Sequence, residues 1–320
     1  MAVMTTGMSA AGLQRLVLGS GLGLMALWLL WHWRDGRPGL GVLGALLLLG
    51  AQAGALGLEM LLAAGVARQR GEAPAGAGRR LAAWWAELRC SSRSFGWEQP
   101  FRAARWPDRL EGVLGQRGIV LVHGYACNRA LWQPWLPGLQ AAGVPFIAPS
   151  LGPVLAPIEC YVAQLDAAVR RITAATGQAP LLVCHSMGGL VARAWLRAAI
   201  AAEGPAALQR VHRVLTLGSP HHGTWLARWG DTASARQMCC DSDWLRVLAA
   251  SESAELQARF CCVYSDCDNV VFPAGTARLD GARELLLPGY AHLQLLQAPE
   301  LPALLRQLCA EAGEPAGATG

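Results

Sequence analysis

The sequence predicts a mostly parallel α/β sheet covered by helices, preceded by a pair of long apolar helices. Three observations carry this. From residue 118 onward short apolar runs alternate with helix-like stretches, the pattern of strand–helix units in a parallel sheet. Residues 16–33 and 39–67 are apolar almost throughout, each long enough to cross a hydrocarbon core of about 30 Å. Between the two regions, residues 71–78 form a Gly/Ala/Pro linker. No internal repeat is apparent.

The anchor region comes first. Residues 16–33 contain His32 as the only ionisable side chain, and residues 39–67 are interrupted only by Gln52 and Glu59. The spans are placed at about 16–33 and 39–64, within an anchor of residues 1–70. The alternative, a signal peptide followed by a core helix, lacks a small-residue cleavage site before the Trp-rich end of the first stretch. Trp28, Trp31 and Trp33 read instead as interfacial anchors. The chain has no lysine, so orientation rests on arginine. The short connection carries Arg34 and Arg37 against Asp35, while Arg15, Arg68, Arg70, Arg79 and Arg80 lie outside the pair. The positive-inside rule then favours a hairpin with both ends in the cytoplasm.

Residues 71–117 read as a linker with an amphipathic segment, 81–89, that lays Trp84 and Trp85 on the bilayer surface. The net charge of +5 sits largely beside the apolar stretches, where anionic lipid head groups are the simplest partner. No recognition helix, zinc spacing or aromatic–basic interleaving points to nucleic acid. Ten cysteines, with adjacent pairs at 239–240 and 261–262, do not form a disulfide framework. Their even number keeps an oxidising compartment open as the alternative.

In the region 118–310, six strands are predicted at residues 119–122, 144–148, 181–184, 211–217, 260–264 and 284–287, with helices at 160–173 and 190–202 among the connections. In such sheets reactive groups gather beyond the carboxyl ends of the strands. The third strand runs into Cys184-His185-Ser186-Met187-Gly188-Gly189, with a helix behind it. A serine on a sharp strand-to-helix turn is a nucleophile elbow; the plain alternative is a helix N-cap. Cys184 stands where Gly-x-Ser-x-Gly has its first glycine, and is read as an inert small hydrophobe. After the first strand comes His123-Gly124-Tyr125, whose turn aims the Tyr125 N–H at an oxyanion, with Met187 N–H as second donor. After the fifth comes a loop with Asp266 and Asp268, and after the last Pro288-Gly289-Tyr290-Ala291-His292. Asp268 is preferred to Asp266 because more turn residues separate it from the strand end. His292 is preferred to His123 and His185, which belong to turns, and to His221 and His222, which read as loop-shaping. A metal site from His221, His222 and Cys239-Cys240 matches no zinc spacing.

At these residues the chain resembles the α/β-hydrolase superfamily, and within it the bacterial lipases and esterases, over roughly 118–309. The resemblance assigns Ser186 as nucleophile, Asp268 as acid, His292 as general base, and the Tyr125 and Met187 N–H groups as oxyanion hole. Gly218-Ser219-Pro220-His221-His222-Gly223-Thr224 is similar to the loop after the sixth strand of such lipases. It implies an ester hydrolase with no metal and no organic cofactor, acting on an apolar or lipid ester. Thioesterase, amidase or acyltransferase chemistry, and a non-catalytic interaction protein, are the alternatives. Residues 225–259, rich in Trp and Leu, are either a lid or ordinary core helices, and 311–320 are expected to be a tail.

Overall fold

The computed structural model describes residues 7–311. Two long helices open the chain, α1 (Ala10–Arg34) and α2 (Pro38–Gln69). The Ser9 side chain caps the first by accepting from Gly12 N–H, and Pro38 opens the second where a missing N–H costs nothing. At 1.5 Å per residue they are about 37 and 48 Å long, and both are apolar enough to cross a membrane. Leu22, Leu24, Leu27, Leu46, Leu47 and Leu49 stand exposed on the pair. A continuous apolar surface of this kind is unfavourable in water.

Next come α3 (Ala77–Arg93) and the short α4 (Gln99–Phe101), joined by one π-helical turn. Leu81 and Trp85 are exposed on α3, as the amphipathic pattern predicts. Trp84 departs from it: its indole N–H donates to the Ala53 carbonyl at 2.9 Å, so the ring lies against α2 rather than on a bilayer surface. The partner is 31 residues away, and the local pattern does not reveal it.

The remaining elements are β1 (Ile119–Val122), α5 (Leu136–Ala141), β2 (Phe146–Ile147), α6 (Val162–Thr176), β3 (Leu181–His185), α7 (Met187–Glu203), β4 (Arg213–Leu217), α8 (Ala233–Gln237), α9 (Asp243–Ala250), α10 (Ala254–Ala258), β5 (Phe260–Tyr264), β6 (Arg283–Leu286) and α11 (Leu301–Ala310). The six strands form one parallel sheet in the order β2-β1-β3-β4-β5-β6. β2 is shorter than the apolar run 144–148 because Val144 N–H is spent on the Leu139 carbonyl, closing the preceding helix. α7 begins directly after Ser186 rather than at 190.

The inner strands are buried on both faces, the rule for parallel sheets. Alternate residues supply two cores. Val120, Val122, Leu182, Cys184, Val214 and Cys262 face α6 and α7, meeting Leu165, Val169, Ile172, Leu190 and Trp195. Ile119, Leu121, Leu181, Val183, Leu215 and Val263 face the other way, onto Leu136 and Leu139 of α5 and Leu301, Leu304 and Leu308 of α11. Each fully buried Leu, Ile or Val contributes roughly 1.5–3 kcal/mol.

The segment 225–259 is a string of short helices. Met238, Leu245, Leu248 and Leu256 pack into the α6/α7 core, while Trp229 and Val247 remain exposed. One ion pair ties it down: Arg193 of α7 meets Glu252 in a two-pronged contact of 2.7 and 2.8 Å, with both side chains inaccessible to solvent. Arg193 also donates to the His221 carbonyl at 2.7 Å. Glu311, the last described residue of the expected tail, is paired with Arg213 and Arg283; 312–320 lie outside the described residues.

Removing one partner of a buried pair strands the other charge, at a cost of about 3–5 kcal/mol. Glu252→Ala is therefore expected to lower the thermal midpoint of the detergent-solubilised protein sharply, whereas Arg246→Ala, whose partner Asp243 is exposed, leaves it within a degree or two.

Candidate functional site

The carboxyl ends of β1, β3, β4 and β5 and the loop after β6 converge on one place. Ser186 sits between β3 and α7 with φ 54° and ψ −127°, a positive-φ conformation that a side-chain-bearing residue holds only when its surroundings enforce it. The enforcement is visible. Ser186 N–H is tied to the Leu217 carbonyl at 3.0 Å, and Ser186 O accepts from Gly189 N–H at 3.1 Å. The turn is also pressed against the end of β1. A Cβ on Gly188 would lie 2.5 Å from the Val122 carbonyl oxygen, and one on Gly124 would lie 2.8 Å from the Ser186 Cβ. Both glycines are therefore required by close approach. The same approach brings the Gly124–Tyr125 turn beside Ser186, while Met187 is the first residue of α7 with its N–H at the helix N-terminus.

Cys184 is wholly buried on the α7 side of the sheet, and burial pushes its thiol pKa far up. It does the space-saving work of the missing glycine and is no nucleophile.

Asp268 and His292 stand on two loops without regular structure. Asp268 Oδ2 lies 2.9 Å from His292 Nδ1, and both side chains are buried. The other carboxylate oxygen accepts from Val270 and Val271 N–H at 2.8 and 2.7 Å, so the carboxylate is fixed from two directions. Three further bonds join the loops. Ser265 Oγ accepts from Tyr290 N–H at 3.0 Å, Asp266 Oδ1 from Gly289 N–H at 2.7 Å, and Asn269 Oδ1 from His292 N–H at 3.2 Å. The rival acid Asp266 is thus engaged elsewhere: its second oxygen meets Arg79 at 2.8 Å. Gly218, at φ +57°, leaves room for the pair, since a Cβ there would lie 2.9 Å from Asp268 Oδ2 and 3.2 Å from His292 Nδ1.

Four other histidines have structural partners. His123 Nε2 accepts from Leu151 N–H at 2.8 Å, which leaves Nδ1 to donate to the Gly124 carbonyl at 2.9 Å. Burial lowers its pKa to about 4, so it is neutral. His185 contacts the His292 carbonyl at 3.2 Å, and burial, with the nearby His292 charge, holds its pKa well below 6.5. His221 bonds Thr216 Oγ1 at 3.0 Å, and His212 the Leu308 carbonyl at 2.9 Å. His222 is exposed. Among the described residues no group of three or more His, Cys, Asp or Glu is placed to hold a metal ion.

Sequence reasoning passed over Glu87 of α3. It is buried, and its carboxylate accepts from Leu293 N–H at 3.0 Å and Gln294 N–H at 3.0 Å, immediately after His292. Burial pushes its pKa up to about 7, against the opposing pull of those backbone N–H groups and of the His292 charge. At His292, burial alone lowers the pKa. The Asp268 carboxylate, by charge and hydrogen bond, with Glu87 and Glu59 beyond it, outweighs that and leaves it raised above 6.5. A cavity of about 670 Å³ opens between α3, α5 and α11 and reaches Leu293 and Leu296, but none of Ser186, Asp268 and His292 lines it.

A serine on a strained turn after the third strand, with a buried carboxylate–histidine pair on the loops after the fifth and sixth, is the layout of serine hydrolases on a parallel sheet. The sequence profile of the alpha/beta hydrolase family matches residues 119–315, and the chain belongs to that family. Among solved structures it is similar to a lipase of Bacillus licheniformis in its mature form, at 19% identity and a TM-score of 0.53, covering 63% of this chain and 96% of that one. The propeptide form of that lipase also gives 0.53 at 19% identity, over 65% of this chain and 53% of the other. Lipase B of Aspergillus fumigatus follows at 20% identity and 0.49, covering 57% and 49%. At these identities the likeness shows the fold alone. No curated protein matches the chain in sequence.

A general base works only when neutral, so if His292 has that role turnover should rise with pH through its raised pKa, with a midpoint above 6.5. Removing a neighbouring negative charge lowers that midpoint: Glu87→Gln is expected to shift the acid limb of kcat/KM downward. The same variant tests stability. The Glu87 pKa is raised from 4.5 to about 7, so its contribution is fully present below 4.5 and lost as pH rises through about 7. Melting curves from pH 4.5 to 8 should decline more steeply for wild type than for Glu87→Gln.

Proposed function

We propose that the chain is a membrane-anchored serine hydrolase that cleaves carboxylic esters with apolar or lipid-like acyl groups through an acyl-enzyme intermediate. The observation that carries this reading is the buried Asp268–His292 contact of 2.9 Å beside a serine held at positive φ. Ser186, Asp268 and His292 follow one another in the order that triads adopt on this sheet.

A serine hydroxyl is a poor nucleophile until its proton is taken. Neutral His292 takes the Ser186 proton as Oγ bonds to the ester carbonyl carbon, and the carbonyl electron pair moves onto oxygen. The Tyr125 and Met187 N–H groups stabilise that oxyanion, each such donor being worth about 3–4 kcal/mol in the transition state. Asp268 orients the imidazole and stabilises the imidazolium. Collapse breaks the ester C–O bond, and His292 returns the proton to the departing alcohol oxygen. Water, deprotonated by His292, then attacks the acyl-enzyme; the acid leaves and the proton returns to Ser186. The Ser186 proton leaves with the alcohol, and a proton from water replaces it.

Labelling by a fluorophosphonate probe should occur in wild type and in Cys184→Ala and vanish in Ser186→Ala; equal labelling of Ser186→Ala would overturn the nucleophile assignment. On a panel of esters graded by acyl length, Asp268→Asn and His292→Ala should each reduce turnover by about 10⁴-fold, and Asp266→Asn far less. A greater loss in a folded Asp266→Asn protein would transfer the acid role to that residue.

Anchoring rests on the exposed leucines of α1 and α2 and on the arginines outside the hairpin. The orientation that follows has both ends and the hydrolase domain in the cytoplasm, at a bacterial inner membrane. With green fluorescent protein fused after Gly320, whole cells should fluoresce. An alkaline phosphatase fusion there should be silent, and the reverse pattern would put the domain on the other side.

A further inference from the structure

α2 carries a single carboxylate, Glu59, in a run of apolar residues. An ionisable group in such a stretch is costly unless it has a partner, and where one occurs it marks a function. The partner of Glu59 lies in the catalytic domain: Oε2 accepts from Asn269 Nδ2 at 2.7 Å. Asn269 is itself buried, next to the acid in sequence, and its Oδ1 accepts the His292 backbone N–H at 3.2 Å. A carboxylate has no proton to donate, so it admits only the NH₂ side of the amide. The carbonyl side is thereby turned toward His292. One residue further along α2, Met60 packs with Cys267 and Ala291, the immediate neighbours of Asp268 and His292.

We propose that Glu59 is a positioning residue for His292, so that the apolar hairpin is a component of the catalytic centre as well as a tether. This rests on the Ser186 hydrolase reading. Glu59 touches neither the serine nor the oxyanion turn. It acts by holding the Asn269 amide in one orientation, and Asn269 holds the main chain that carries the imidazole. Without the carboxylate the amide is free to rotate, and His292 loses one of the fixings that aim it between Asp268 and Ser186. The expected signature is a loss in kcat with little change in KM, because binding of the acyl group involves other surfaces.

The test uses the full chain in phosphatidylcholine nanodiscs with p-nitrophenyl butyrate, a substrate soluble enough to need no delivery from the bilayer. Glu59→Ala should lower kcat about 10- to 100-fold, the scale of a catalytic group misplaced by about an ångström, with KM within about twofold. Glu59→Gln keeps an acceptor for Asn269 Nδ2 and should recover kcat to within about threefold of wild type. Asn269→Ser breaks the bridge without touching the apolar helix and should show the same loss of kcat; it carries the test if Glu59→Ala does not accumulate in membranes. In the Glu59→Ala/Asn269→Ser double variant the losses should not add, since both remove one linkage. Unchanged kcat in Glu59→Ala, failure of glutamine to rescue, or fully additive losses would overturn the proposal while leaving the hydrolase reading intact. Turnover that persists undiminished in Ser186→Ala would overturn both.

Discussion

The contact between Asp268 and His292 is the interaction on which this architecture turns, and neither residue belongs to a strand or helix. Their two loops are joined by four hydrogen bonds, from Ser265 to Tyr290, Asp266 to Gly289, Asn269 to His292 and Asp268 to His292. Three of the four use a side chain of the first loop and a backbone N–H of the second. The arrangement converts irregular chain into a fixed platform, since each bond removes an orphan donor from a buried site. Glu87 completes it from outside by accepting the next two N–H groups in line. The sheet sets where the loops emerge, and these bonds set where the imidazole points.

Much of this was legible in the sequence. The six apolar runs became six strands because β-branched and leucine runs bounded by Gly and Pro suit a sheet buried on both faces. Ser186, Asp268 and His292 each follow such a run in the sequence, and the structure puts Asp268 against His292 and Ser186 on a positive-φ turn. What could not be read is long-range. Glu87 meets Leu293 across 206 residues, and Trp84 looks like an interfacial anchor until Ala53 takes its N–H. The Arg193–Glu252 pair joins residues that read separately as a helix surface and a loop. Gly218 was visible only as the start of a familiar loop; that a side chain there would strike the acid–base pair is a statement about distance. In the sequence Glu59 is only an interruption of an apolar run, and the fold supplies its partner, Asn269.

The division of labour between the two sheet faces also follows from alternation along the strands. One face receives α6, α7 and the short helices after β4, and the other receives α5 and α11. Among the site residues, Cys184 faces the first core. It shows how the elbow tolerates departure from its usual glycine: the position is wholly buried, so it must be filled with something small, and a thiol meets that condition. Segment 225–259 is likewise a composite. Its inner residues belong to the core, as ordinary core helices would, and Trp229 and Val247 stand in the open.

The two apolar helices are rooted at opposite sides of the centre. Near the start of α1, Gln14 donates to the Ala126 carbonyl at 3.0 Å, next to Tyr125, while Glu59 of α2 reaches Asn269. A hairpin in a bilayer responds to a mismatch between its apolar length and the local hydrocarbon thickness by tilting. In a membrane-anchored chain a tilt would pull on one turn near Ser186, through Gln14 and Ala126, and on another near His292, through Glu59 and Asn269. Under the proposed membrane-anchored hydrolase, the relative placement of Ser186 and His292 would be coupled to the thickness of the surrounding lipid.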